Sequence, residues 1–138
     1  MSETPTETPR RRPLKHIRTI TDLVHTADVL GSYFFSLDTM RWFSSRLSGE
    51  IRVFESETQH DGGPERIVVL FITSERNVRS AWDEGRRYTV RKATILPHKG
   101  TLADRGDFIF FDTIGEFGQY ETLAQAKKAL RRVTGWEN

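Results

Sequence analysis

The chain has 138 residues, 36% of them hydrophobic and 11% aromatic, with nine Phe and three Trp. That length suits one domain, and aromatics that each bury ~150–250 Å² supply enough apolar surface for a packed core. A formal charge of only +2 and the absence of cysteine exclude a uniform polycation, a disulfide scaffold, a thiolate nucleophile and a Cys-ligated zinc.

No stretch approaches the ~20 apolar residues of a membrane span, and the N-terminal residues lack the apolar segment of a secretory signal. The expectation is a cytoplasmic protein with no membrane partner. Charge is segregated along the chain. Residues 1–18 carry +3, the group Arg86, Arg87, Arg91 and Lys92 carries +4, the group Lys127, Lys128, Arg131 and Arg132 carries +4, and the remainder carries −9. Such segregation leaves room for a basic face and an acidic face.

Residues 1–14 are read as a disordered basic tail, and 15–138 as one α+β domain. The tail is rich in Pro and Thr and holds Arg10, Arg11 and Arg12; it has too little apolar surface to offset its ordering entropy. From Lys15 the spacing of Ile17, Ile20, Val24 and Ala27 predicts a helix, with Asp22 early and Gly31 just past its end. Tyr33-Phe34-Phe35 reads as a brief buried strand or linker. Ser36 or Asp38 then caps a second helix running to about Leu47, with Leu37, Met40, Phe43 and Leu47 on its buried face.

The middle of the chain is β. Ile51–Glu55 alternates as a half-buried strand, and Arg66–Thr73 is continuously apolar, as a strand covered on both faces should be. The polar loop between them makes the two a hairpin. Arg86–Ile95 predicts a third strand, with Tyr88 and Val90 on one face and Arg87, Thr89 and Arg91 on the other. Phe108–Phe111 predicts a fourth. Thr122 caps a last helix to about Thr134, with Leu123, Ala126, Leu130 and Val133 as its stripe and its basic residues towards the C-terminal end. The expected architecture is therefore two N-terminal helices, an antiparallel sheet of about four strands, and a C-terminal helix packed on the sheet.

Candidate binding residues follow from the charge pattern. Arg10, Arg11 and Arg12 suit phosphates or an acidic protein surface. Arg87 and Arg91, on one strand face and ~13 Å apart, suit neighbouring phosphates, or alternatively pair with carboxylates across the ladder. Lys128, Arg131 and Arg132 form a basic helix end. The Phe117–Ala126 segment, an aromatic strand end leading into a Thr-capped helix, resembles a packing device also seen in DNA-binding domains of phage-type integrases.

Catalytic signals are sparse. His16, His25, His60 and His98 show no i, i+4 pairing, and no GxSxG, P-loop or GxGxxG motif occurs. Glu55, Glu57, His60 and Asp61 are the nearest approach to a metal cluster, but they sit in a loop where polar residues belong in any case. No cofactor and no metal are expected. Glu75, after the central strand, is expected to pair with Arg46 or Arg41.

The blocks from Tyr33 to Arg46 (YFFS-x-DTMR-x-F-x-SR), Phe71–Glu75 (FITSE) and Tyr88–Arg91 (YTVR) resemble a family of small bacteriophage and prophage proteins. That resemblance implies a viral accessory protein acting in the cytoplasm of a bacterial host. It also implies structural roles: Asp38 as a helix cap, and Arg46, Glu75 and Arg91 as a buried or rim charge network, with Arg41 part of the motif. The leading expectation is a non-enzymatic protein that binds and inhibits a host protein or defence complex, with Trp82 and Trp136 as exposed aromatics. The alternatives are a DNA- or RNA-binding protein using the tail, Arg87, Arg91 and the basic helix, or a small enzyme working through Glu75 or the 55–61 loop. A homo-oligomer is compatible with each.

Overall fold

The computed structural model describes residues 17–42, 45–56, 66–76, 85–96 and 108–134. Arg10–Arg12, His16, Phe43, the 57–65 loop, Trp82, His98 and Trp136 lie outside the described residues. The elements in order are α1 (Ile20–Val29), α2 (Leu37–Trp42), β1 (Arg46–Leu47), β2 (Arg52–Glu55), β3 (Ile67–Glu75), β4 (Arg87–Leu96), β5 (Phe108–Ile114) and α3 (Leu123–Arg132).

β3 is the hub of an antiparallel sheet. β1 and β2 share one of its edges, β4 lies along the other, and β5 follows β4. Every residue of β3 is buried, which explains its near-continuous apolar sequence: helices cover both faces. On one face Ile67, Val69 and Phe71 join Ala93 and Ile95 of β4 and Leu23 of α1, with Phe34, Phe35 and Phe111 packed against them. Phe34 stacks on Phe111 with centroids 4.2 Å apart, and Phe35 meets both Phe34 and Phe71 edge-on or tilted. On the other face Val68, Leu70, Ile72 and Val90 meet Ala126, Leu130 and Val133 of and beside α3.

Local signals fix the two longer helices. Thr19 and Asp22 form a reciprocal capping box on α1, and Thr122 and Gln125 form one on α3. α1 ends in a Schellman motif, with Gly31 N–H donating to Asp28 O and Ser32 N–H to Ala27 O. Gly31 has φ +83°, a conformation that costs a side-chain-bearing residue ~1–2 kcal/mol. The C-terminal carbonyls of α3 are satisfied from the sheet. Arg52 of β2 donates through Nη1 to Leu130 O, Arg131 O and Val133 O at 3.2, 2.6 and 3.0 Å.

Several expectations need correction. α2 ends at Trp42 rather than near Leu47, and Arg46–Leu47 is instead a short strand opposite Thr73 and Ser74. The sheet therefore has five strands rather than about four. Leu47 does pack against the core, but as a strand residue, whereas Leu37 is exposed. Of the two readings of Tyr33-Phe34-Phe35, strand or linker, the structure has the linker, with a turn at Phe34-Phe35: Tyr33 points outward while Phe34 and Phe35 fold into the core. Ser36, not Asp38, caps α2, because the Thr39 N–H donates to Ser36 Oγ at 3.2 Å, and Asp38 lies exposed in the first turn.

Candidate functional site

The turn before α2 determines what that helix presents. Tyr33 O accepts from both Ser36 N–H (3.1 Å) and the Thr39 hydroxyl (3.0 Å), closing the chain tightly enough that adjacent aromatics point in opposite directions. Tyr33 and the first helical residue, Leu37, are left 81% and 75% exposed, the highest values for large apolar side chains among the described residues. Arg41 follows Leu37 by four positions and so shares its helix face.

Beside this face lies a groove of about 350 Å³ lined by Leu37, Met40, Arg41, Ser45, Arg46 and Arg86. Arg86 is held against the end of β3, donating through Nε to Ser74 Oγ at 3.0 Å and through Nη2 to Ser74 O at 2.9 Å. Burial first, and then the positive charges of Arg46 and Arg76, hold its guanidinium below the ordinary arginine range. Among the described residues, Arg41, Arg46 and Arg76 have no carboxylate paired to them. The groove is thus a locus of positive potential with an apolar floor.

A second cavity, also about 350 Å³, lies under α2 and is lined by Phe34, Thr39, Met40, Ser45, Thr73, Glu75, Arg91 and Phe117. Met40 and Ser45 line both hollows. Its polar end is a buried network. Arg91 donates through Nη2 to Glu75 Oε2 at 3.1 Å, through Nε to Thr73 Oγ1 at 2.7 Å and through Nη1 to Thr113 Oγ1 at 3.5 Å. The Thr89 hydroxyl donates to Glu75 Oε1 at 3.2 Å and itself accepts from Gly118 N–H at 2.8 Å. The Arg91 guanidinium carbon lies 5.4 Å from the Phe34 centroid and 5.5 Å from that of Phe117, a distance at which ring faces attract cations. The side chains of Glu75 and Arg91 are only 2% and 14% exposed.

Glu75 pairs with Arg91, one of the two arginines that the resemblance grouped with it, rather than with Arg46 or Arg41. In register Glu75 stands opposite Arg87, and Arg91 stands opposite Phe71. The long Arg91 side chain lies along the sheet over Thr73 to reach Glu75. Arg46 and Arg41 stay on the exposed side and belong to the outer groove.

The remaining sequence candidates divide by what engages them. Arg87 donates to Gly118 O at 2.8 Å and Gln119 O at 3.3 Å, and it meets Glu121 at 3.4 Å. Arg131 forms a two-pronged pair with Glu50, at 2.9 Å for each contact. Lys128 and Arg132 are exposed and, with Arg87 and Tyr120, line a surface hollow of about 440 Å³. Arg10–Arg12 fall outside the described residues, as do 57–61 of the carboxylate-rich loop. Among the described residues no group of three or more His, Asp or Glu is placed to hold a metal ion, and no helix is long and apolar enough to cross a membrane.

The roles of Arg52, Phe117 and Arg86 escaped the sequence reading. Each depends on which elements become neighbours, and no local spacing encodes that. No curated protein and no solved structure matches the chain. Residues 17–131 match the model of a family of unknown function, DUF7447, and the chain belongs to that family.

Proposed function

We propose that the protein is a non-enzymatic binding protein of bacteriophage or prophage type that docks onto an acidic surface of a host protein. The docking face comprises Tyr33, Leu37, Arg41, Arg46 and Arg86. One observation carries this reading: Leu37, 75% exposed, lines the groove with Arg41 and Arg46, neither of which has a carboxylate paired to it among the described residues, and Tyr33, 81% exposed, stands just ahead of the same helix. Tyr, Met and Arg are enriched in the energetically dominant parts of protein interfaces. A basic rim around an apolar patch selects a partner with acidic residues around an apolar one. The phage context rests on the sequence blocks of Tyr33–Arg46, Phe71–Glu75 and Tyr88–Arg91.

The test is affinity capture from bacterial lysate, with and without nuclease, using the wild-type chain and the double variant Arg41→Glu/Arg46→Glu. Both positions are exposed, so the variant keeps its fold. The expected result is a host protein retained after nuclease by the wild type and lost by the variant. Retention by both would refute the docking face.

The second reading is nucleic-acid binding, favoured by the hollow on α3 where Lys128 and Arg132 are exposed beside Tyr120. Arg87, Arg91 and Arg131 are already engaged within the protein, which leaves fewer cations for phosphates than the sequence suggests. This reading requires an affinity that falls steeply with salt.

A further inference from the structure

The cavity under α2 has features that the docking face does not use. It combines an apolar wall with a charged end whose net charge is zero. Phe34, Met40 and Phe117 form the wall, and the Glu75–Arg91 pair, with the hydroxyls of Thr39, Ser45 and Thr73, forms the polar end. Burying such a pair is costly, and a well-packed apolar replacement would serve stability as well or better. Here the pair borders a hollow of about 350 Å³, within the ~300–1,000 Å³ range of small-molecule sites.

The hydrogen-bond inventory defines the ligand that would fit. An arginine has five N–H donors. Among the described residues Thr73, Thr113 and Glu75 take three of those of Arg91, leaving two. Among the described residues each oxygen of Glu75 accepts one hydrogen bond, from Thr89 or from Arg91, and a carboxylate oxygen has room for a second. Donor and acceptor capacity therefore lie side by side at the end of an aromatic slot. An anion would meet the Glu75 carboxylate, a cation would meet the Arg91 guanidinium, and a plain hydrocarbon ring would leave both ions unanswered. A flat neutral ring bearing an N–H next to a C=O answers both.

We propose that this cavity binds a small neutral nitrogen heteroaromatic of lactam type, such as a pyrimidine or purine base. Its N–H faces Glu75, its carbonyl faces Arg91, and its ring packs against Phe34 and Phe117. Phe117 is 43% exposed and stands at the mouth, where it acts as the outer ring of the slot.

The test uses the full chain and saturation-transfer NMR titrations with uracil and hypoxanthine as neutral lactams. Benzoate, benzylamine and benzyl alcohol serve as an anionic, a cationic and a non-lactam ring. The expected result is saturable binding of at least one lactam below about 5 mM, with the three controls at least about tenfold weaker. Phe117→Ala, at a partly exposed ring that leaves the fold intact, is expected to weaken lactam binding about tenfold. Glu75→Gln tests the polar end directly, its melting temperature reporting whether the fold survives. No lactam binding at about 5 mM would overturn the proposal. So would benzoate or benzylamine binding as well as the lactams, or lactam binding undiminished in Phe117→Ala.

Discussion

Replacing Arg91 with methionine removes a guanidinium that holds three side chains of the sheet, and the size of the effect follows from what is left behind. Glu75 is 1% exposed. Without Arg91, its carboxylate keeps the Thr89 hydroxyl as its single hydrogen-bond donor among the described residues. Breaking a buried ion pair from one side costs ~3–5 kcal/mol because an uncompensated charge remains. Thr73 also loses the 2.7 Å bond from Nε, which adds ~1 kcal/mol. Part of this returns through the apolar packing of methionine between Phe34 and Phe117, so Arg91→Met is expected to cost about 3–4 kcal/mol.

Removing both charges has a different outcome. Glu75→Leu/Arg91→Met leaves no orphaned ion and is expected within about 1 kcal/mol of wild type. Urea denaturation followed by tryptophan fluorescence measures both variants. With a slope of ~2 kcal/mol/M, the single variant lowers the midpoint by about 1.5–2 M and the double by under about 0.5 M. A double variant as unstable as the sum of its singles would refute the claim that the two charges act as one unit.

Four further outcomes test other parts of the structure. Thr122→Ala removes the acceptor for Gln125 N–H and half of a capping box; it is expected to cost about 1 kcal/mol by urea denaturation. Arg52→Met leaves the α3 carbonyls of Leu130 and Arg131, and that of Val133, without the donor from β2, and should cost about 1–2 kcal/mol with increased amide exchange in the last turn of α3. Gly115→Ala places a Cβ against the Gln119 side chain at φ +82°, so a loss of about 1–2 kcal/mol is expected in the same assay. Asp22 is held below the ordinary carboxylate range, chiefly by the N–H of Arg18, with the backbone and hydroxyl of Thr19 adding to the effect. Because its folded pKa is depressed, its contribution is fully present above the unfolded value of ~3.9 and disappears as pH falls through the lower folded value. The stability difference between wild type and Asp22→Ala should therefore shrink as the pH falls below about 4.

Legibility in the sequence followed the range of the signal. Caps and stops are local, so Gly31 and Thr122 could be placed from neighbouring residues alone; the start of α1 could not, because Ile17 fits the helical spacing from Lys15 yet is buried ahead of the helix, which begins at Ile20 after the Thr19 cap. The apolar run Ile67–Ile72 announced a strand covered on both faces. Its extension beyond Thr73 through Ser74 and Glu75 was hidden, because those buried polar residues are satisfied by β4 and Arg86.

α2 shows the opposite failure. The spacing of Leu37, Met40 and Leu47 is helical, yet pairing with β3 draws Arg46–Leu47 into the sheet, and tertiary hydrogen bonding overrides periodicity. The site was half legible. Glu75 stands out as a carboxylate at a strand end, and the resemblance groups it with Arg46 and Arg91; which of the two it meets is not legible, because Arg91 lies four residues along β4 from the position opposite Glu75, a reach that only a long side chain lying on the sheet covers. The arginine groove joins α2 and β1, neighbours in the chain, with Arg86 just ahead of β4, which is far from both in sequence.

The docking face is the central claim, and amide hydrogen exchange on the captured complex tests it most directly. With the host partner bound, protection is expected to concentrate on Tyr33–Arg41, Arg46 and Arg86, with α3 unchanged. Protection centred on Lys128 and Arg132, with α2 exchanging as in the free protein, would contradict the account and move the interface to α3.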